Sequence, residues 1–223
     1  GMHRLSVFLT IAVAFVASAA NAQESSKRIR VLSVTGMDSS AHNWQERSRA
    51  ISKVLSEEKR FDVRVAEDPE FLATRVLFDY DVAILHFRNL KPLTRGDDVK
   101  ENLAKFVKSG RGLVVLHGVS GAFPDWPEFR ELIGRVWGPR HGDEPRGPFD
   151  VKIVNRKHAI TRGMKDFTTD DELYVGFVGE RPIEVLATAR SRRTGKDEPV
   201  AFVMKYGQGR VFYTALGHDE RTF

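Results

Sequence analysis

Seven histidines occur in the chain, and six of them lie beyond residue 22: His42, His86, His117, His141, His158 and His218. None belongs to the apolar stripe of a helical pattern. Each stands just past a strand-like segment or in a loop. Imidazole in such places can give or take a proton near neutral pH, or ligate a divalent metal. His42, His86, His117 and His218 follow apolar segments that should be neighbouring parallel strands, so their side chains are expected to converge on one rim. His117 is the strongest member, because Gly118 and Gly121 leave it approachable. His86 is the weakest, because the apolar run continues through Phe87. Asp170–Asp–Glu–Leu–Tyr174 brings three acids and a tyrosine together, and Glu172 there could orient a histidine or act as a base. Asp219 and Glu220 follow His218 and could serve likewise. Trp44, Trp126 and Trp137 offer faces for a sugar ring, or equally for the core.

The same residues exclude several chemistries. There is no cysteine, which removes disulfides, thiolate nucleophiles and thiolate-bound metals. The chain reads Gly118–Val–Ser–Gly121 rather than Gly-x-Ser-x-Gly, so a serine hydrolase based on Ser120 would need that hydroxyl within reach of a histidine. Gly36 is followed by Met37–Asp–Ser–Ser40, which lacks the further glycines of a nucleotide loop. No His-Glu-x-x-His occurs. A single divalent metal on His42, His117 and His218 with Glu172 is one version of the site, and spacing alone does not decide it.

These groups need a scaffold, and the chain has 223 residues to build one. Residues 1–22 read as a secretory leader. His3 and Arg4 are its basic start, Leu5–Val16 its apolar run, and Ala20–Asn–Ala22 its cleavage motif. A periplasmic or secreted location is expected, with membrane contact only if the leader is uncleaved. Residues 23–223 then suit a single α/β domain. The net charge of +5 is spread among acids, so no nucleic-acid partner is expected. The densest basic run, Arg190–Lys196, reads as a solvated hairpin loop.

Apolar strand-like runs at Ile29–Thr35, Phe61–Val65, Tyr80–Leu85 and Leu113–His117 alternate with helical patterns. The helix at 43–58 presents Trp44, Ile51, Val54 and Leu55. That at 98–109 presents Val99, Leu103, Phe106 and Val107. Asp68–Pro69 suggests a further helix packed through Phe71, Leu72 and Val76. This order is the signature of an open, mostly parallel, three-layer sheet. In such sheets ligands bind at the C-terminal strand ends. Beyond it come a short helix within 124–133, a glycine- and proline-rich loop at 136–147, and a second loop from His158 to Asp171. Added strands are expected at 149–154, 173–177, 183–188, 200–206 and 210–215.

With His42–Asn–Trp44, Tyr80–Leu85, Leu116–His–Gly118, His141, His158–Ala–Ile160, Asp171–Glu–Leu–Tyr174, Tyr206–Tyr213 and Leu216–Gly–His–Asp219 in this order, the chain resembles the ThuA-like (trehalose-utilisation) family. That family belongs to the class I glutamine-amidotransferase-like, or flavodoxin-like, superfamily. The resemblance covers about Ile29 to Asp219. Amidotransferases of this fold carry a cysteine nucleophile on the turn after the equivalent strand. Here that turn reads His117–Gly118, so thiolate chemistry is not inherited. Position 111 is Arg where the family commonly has glycine, and Ala159 stands where proline is usual. The resemblance implies a role in sugar metabolism and a small polyhydroxylated ligand. Residues and resemblance together give His117, His42, His218 and Glu172 as the catalytic set, with Trp44, His141, His158, Tyr174 and Asp219 contacting substrate. The alternative is a non-catalytic carbohydrate-binding or partner-docking domain on the same fold. An enzyme should bury its histidines around a pocket backed by carboxylates. A binding module should show an open groove with surface tryptophans.

Overall fold

The computed structural model describes residues 4–17 and 27–223. Among the described residues, nine strands form one sheet in the order β2-β1-β3-β4-β9-β8-β7-β5-β6. Strands β1 (Ile29–Val34), β2 (Phe61–Ala66), β3 (Val82–Leu85), β4 (Gly112–Leu116) and β9 (Gly209–Thr214) are mutually parallel. Both faces of this half are covered, so β3 and β4 are buried at every position. That is why they read as unbroken apolar runs rather than alternating ones. Along β4, Val114 and Leu116 enter one core while Leu113 and Val115 enter the other.

Helix α2 (Trp44–Ser56) covers the first face. Asn43 caps it by accepting from the Glu46 N–H, and Ile51 and Leu55 are buried. Helix α1 (Arg4–Val16) lies beside it against β4 and β9, with Leu5, Phe8, Leu9, Ala12, Val13 and Val16 buried. The Arg210 guanidinium donates to the Phe15 carbonyl, tying the end of α1 to the start of β9. No helix among the described residues is long and apolar enough to cross a membrane. The expected cleavage motif at residues 20–22 lies outside the described residues. On the other face, α3 (Gly96–Lys108) buries Val99, Leu103, Phe106 and Val107, as its spacing predicts. The short α4 (Phe129–Ile133) adds Phe129, Leu132 and Ile133 to the same core.

Three expectations are corrected. The helix after Asp68–Pro69 is instead two short 3-10 turns, Pro69–Ala73 and Arg75–Asp79, separated by an extended Thr74. Val76 is consequently 42% exposed rather than packed. The segment at 136–147 is no loop but the first part of β5 (Val136–Ile153), which pairs antiparallel with β6 (Phe167–Val178). Its register shifts between Trp137 and Gly142 and between Glu144 and Gly147. Pro139 and Pro145 sit in those irregular stretches, where a residue without an N–H breaks no ladder bond. The loop after His158 ends early, because β6 begins at Phe167. Strands β7 (Glu184–Arg190) and β8 (Asp197–Tyr206) complete the antiparallel half.

Candidate active site

His117 is the first residue after β4, and its backbone is left-handed, with φ of 47°. Such a conformation costs a residue with a Cβ roughly 1–2 kcal/mol. It turns the chain sharply and presents the ring at the strand end. The ring is fully buried. Its Nδ1 lies 2.7 Å from the Ala215 carbonyl. A carbonyl only accepts, so the proton is on Nδ1 and the lone pair of neutral His117 is on Nε2. That lone pair receives the Tyr174 hydroxyl at 2.6 Å, and Glu172 Oε2 stands 3.4 Å away.

His42 and His218 close on the same point. The His42 and His117 ring centroids are 5.3 Å apart, those of His42 and His218 4.8 Å, and those of His117 and His218 5.4 Å. His218 Nδ1 lies 3.0 Å from Glu172 Oε2. One ligand atom from each of His42, His117, Glu172 and His218 falls within 4.8 Å of the others. Three of the four histidines expected at the rim therefore converge. His86 does not. It is fully buried beneath the sheet edge with its Nε2 2.7 Å from Ser33 Oγ. Burial holds it neutral down to a pKa of about 3.

Two buried aspartates position this cluster. Asp38 Oδ1 accepts from His42 Nδ1 at 2.7 Å, leaving the His42 Nε2 lone pair for the site. Asp38 is held in turn by Arg47 of α2, which also donates to the His86 carbonyl. Burial opposes ionisation of Asp38, but the bonds from His42 and Arg47 outweigh it and keep its carboxyl below the usual range. Asp171 is fully buried and accepts three backbone N–H groups, from Glu172, Gly217 and His218. It thereby fastens β6, which carries Glu172 and Tyr174, to the loop after β9, which carries His218.

Local electrostatics separate the roles. Burial raises Glu172, but His117 and His218 lower it further, so it stays ionised. Glu172 raises His218 above its ordinary value, against partial burial. His42 is lowered, chiefly by burial. Burial keeps the Tyr174 phenol protonated well above its ordinary range.

The expected substrate contacts divide. Tyr174 is at the centre. Trp44 is half-buried at the first position of α2. His141 is exposed and stacked on Trp137 at 4.5 Å, outside the four-residue cluster. Asp219 is already engaged by Arg146 at 2.8 Å and by Arg221 at 2.6 Å. His158 is misplaced by the expectation. Its ring lies 4.7 Å from Phe15 and shares a cavity with Arg210, at the start of β9. His218 follows the other end of that strand, so His158 belongs to the opposite edge of the sheet. Ser120 donates to the His117 carbonyl and, among the described residues, to no histidine ring. Sequence reasoning gave no role of their own to Asp38, Asp171, Arg47 and Arg146. Asp38, four residues before His42 in a loop, was the one with a readable signal.

The mixed sheet, parallel in one half and carrying added antiparallel strands in the other, has a core consistent with the flavodoxin-like or class I glutamine-amidotransferase-like fold. A glutamine amidotransferase from Thermotoga maritima shares it at a TM-score of 0.55 and 14% identity, over 85% of this chain and 75% of that one. A ThuA-like protein from Parabacteroides merdae is more similar, with a TM-score of 0.76 and 23% identity over 86% of this chain and 80% of that one. A second, from Bacteroides uniformis, gives a TM-score of 0.67 and 19% identity over 89% and 86%. The ThuA family profile, described as trehalose utilisation, matches residues 30–223. The chain belongs to the ThuA family. A search of the curated proteins found no match.

Proposed function

We propose that this protein is an enzyme of sugar metabolism, acting on a small polyhydroxylated compound at the His42, His117, Glu172 and His218 site. The observation that carries the reading is the convergence of three imidazoles and a carboxylate on one point, His42 and His117 buried and Glu172 and His218 at its partly exposed side, each beside a named partner. A surface that only docks a partner has no need of such support. A role in carbohydrate metabolism accords with the family description.

The same four groups fit a single divalent cation. Three imidazoles and a carboxylate form a nitrogen–oxygen donor set that suits zinc and its neighbours. Ligands on bonds of about 2.1 Å stand at most about 4.2 Å apart, so a set within 4.8 Å needs only a small contraction. Asp38 on His42 and the Ala215 carbonyl on His117 are the outer contacts that fix imidazole tautomers around metals. Once bound, the cation would polarise a hydroxyl or carbonyl oxygen of the sugar.

The remaining work falls to the chain. Tyr174 donates to the His117 lone pair. When that lone pair is taken, its hydroxyl becomes a neutral donor facing the ligand. With no cation bound, the ionised Glu172 and a His218 raised above its ordinary value by that carboxylate form a pair able to pass a proton. The test is a panel of mono- and disaccharides, with and without added divalent cation, followed by NMR for turnover. Conversion by the wild type and none by Glu172→Gln supports an enzyme. Binding that persists with no conversion of any sugar favours the non-catalytic domain.

A further inference from the structure

The basic hairpin between β7 and β8 is not the freely solvated loop that its composition suggests. Glu144 of β5 accepts from the Ser191 hydroxyl at 2.6 Å and from the Arg193 N–H at 3.1 Å. Ser191 Oγ accepts in turn from the Thr194 N–H at 2.9 Å. The loop is thereby fastened to β5. Strand β7 pairs with β5 only over Val151–Ile153, and the two diverge beyond that point. A cavity of about 540 Å³ opens in the fork. Arg146, Arg190, Arg192 and Arg193 line it, with Pro148 and Phe149 as an apolar wall. Its size falls within the range of small-ligand pockets.

Four guanidinium groups thus share the lining with two carboxylates, Asp143 and Glu144, and Glu144 is already committed to the loop. Arg146 is held in place by Asp219 at 2.8 Å and Asp170 at 3.4 Å. Arg190 lies 3.3 Å from Asp197. Arg192 and Arg193 have no ion-pair partner among the described residues. Arg193 is nonetheless positioned. Its guanidinium packs so closely on Gly142 that a Cβ there would collide with Nη1. Like charges gathered in this way repel one another, and a bound anion relieves that repulsion. Guanidinium donors match the oxygens of phosphate and sulfate groups, which accept from several of them at once.

We infer that the fork between β5 and β7 is a binding site for a phosphate- or sulfate-type oxyanion, held by Arg146, Arg192 and Arg193. It needs no path to the histidine cluster and stands independently of the sugar reading. The test is calorimetric titration of the full chain with inorganic phosphate, sulfate and phenyl phosphate, in a chloride buffer of fixed ionic strength. Wild type should bind at least one of them at a single saturable site. Arg192→Gln with Arg193→Gln, both at exposed positions, should weaken that binding about ten-fold or more, as expected for lost charge-assisted bonds. Gly142→Ala removes no charge but pushes the Arg193 guanidinium aside, and should also weaken it. Lys53→Gln with Lys59→Gln removes the same charge from exposed positions on α2 and before β2, and should leave affinity unchanged. Phenyl phosphate binding tighter than phosphate would assign the site to an organic ester resting on the apolar wall, and equal affinity would assign it to the free ion. No saturable binding of any oxyanion, or equal losses in the loop and lysine variants, would overturn the site. Full affinity in the loop variant would place the anion elsewhere and overturn it too.

Discussion

His117 occupies a strained backbone position that an unconstrained residue would leave, and its ring bonds account for why it stays. Ala215 fixes one nitrogen and Tyr174 meets the other. His42 depends on Asp38 in the same way. Replacing Asp38 with Asn should lower divalent-cation affinity by about 10–100-fold, the usual effect of losing an orienting partner. It should also destabilise the fold, because Arg47 is buried with that carboxylate as its ion-pair partner. Cation titration and urea unfolding of the one variant read the two effects separately. His86 sets a pH dependence of its own. The folded state keeps it neutral to about pH 3, whereas an unfolded chain protonates it near pH 6.5. The unfolded state therefore binds more protons below pH 6.5, and stability must fall as pH drops from there toward 3, by about 1.4 kcal/mol per pH unit for this group. His42, also lowered by burial, acts in the same direction. Urea midpoints between pH 7.5 and 5 should show the fall, and His86→Gln should flatten it. At this scale, the meeting of His42, His117, His218 and Glu172 was legible from residue type and position. The role of Asp171 was not, because a carboxylate that holds a backbone looks in sequence like any solvated acid, and Asp38 offered only its spacing before His42.

Between residues and molecule stand two joints. Asp171 joins β6 to the loop after β9 through three backbone N–H groups. An amide there offers one acceptor oxygen in place of two, so Asp171→Asn should cost about 2–3 kcal/mol. It should also separate Glu172 from His218 and weaken cation binding. A variant that loses stability but keeps full affinity would limit Asp171 to a structural role. The second joint is α1 on the sheet. Its six buried apolar side chains cover β4 and β9. Deleting residues 1–22 should uncover Phe212, Leu216 and Phe223, raise binding of an apolar dye, and lower the melting temperature. Equal melting temperatures with and without those residues would show that α1 adds nothing to the fold. The parallel strands and α2 and α3 were readable because burial on one or both faces writes a simple apolar pattern. The first part of β5, over 136–147, was not. Bulges at Pro139 and Pro145 interrupt its alternation, and glycine and proline there imitate a loop.

Across the whole molecule, the parallel half supplies three histidines from the ends of separate strands, and the antiparallel half folds back to supply Glu172 and Tyr174. The chain turns sharply after β4 at His117 and places an imidazole there. The fold and the family were within reach of the sequence, because ordered short motifs span almost the whole domain. Which histidines would meet was only partly so. His86 and His158 obey the same local rules as His117, and only the tertiary packing separates them. The central claim is that His42, His117, Glu172 and His218 hold one divalent cation. Its most direct test is elemental analysis of protein purified without chelator or nickel resin, then titrated with zinc, manganese, iron and nickel. The account predicts one equivalent of a divalent metal in wild type and none in a folded His117→Ala variant. Wild type that retains no metal and binds none on titration, or a variant that binds as tightly as wild type, would contradict it.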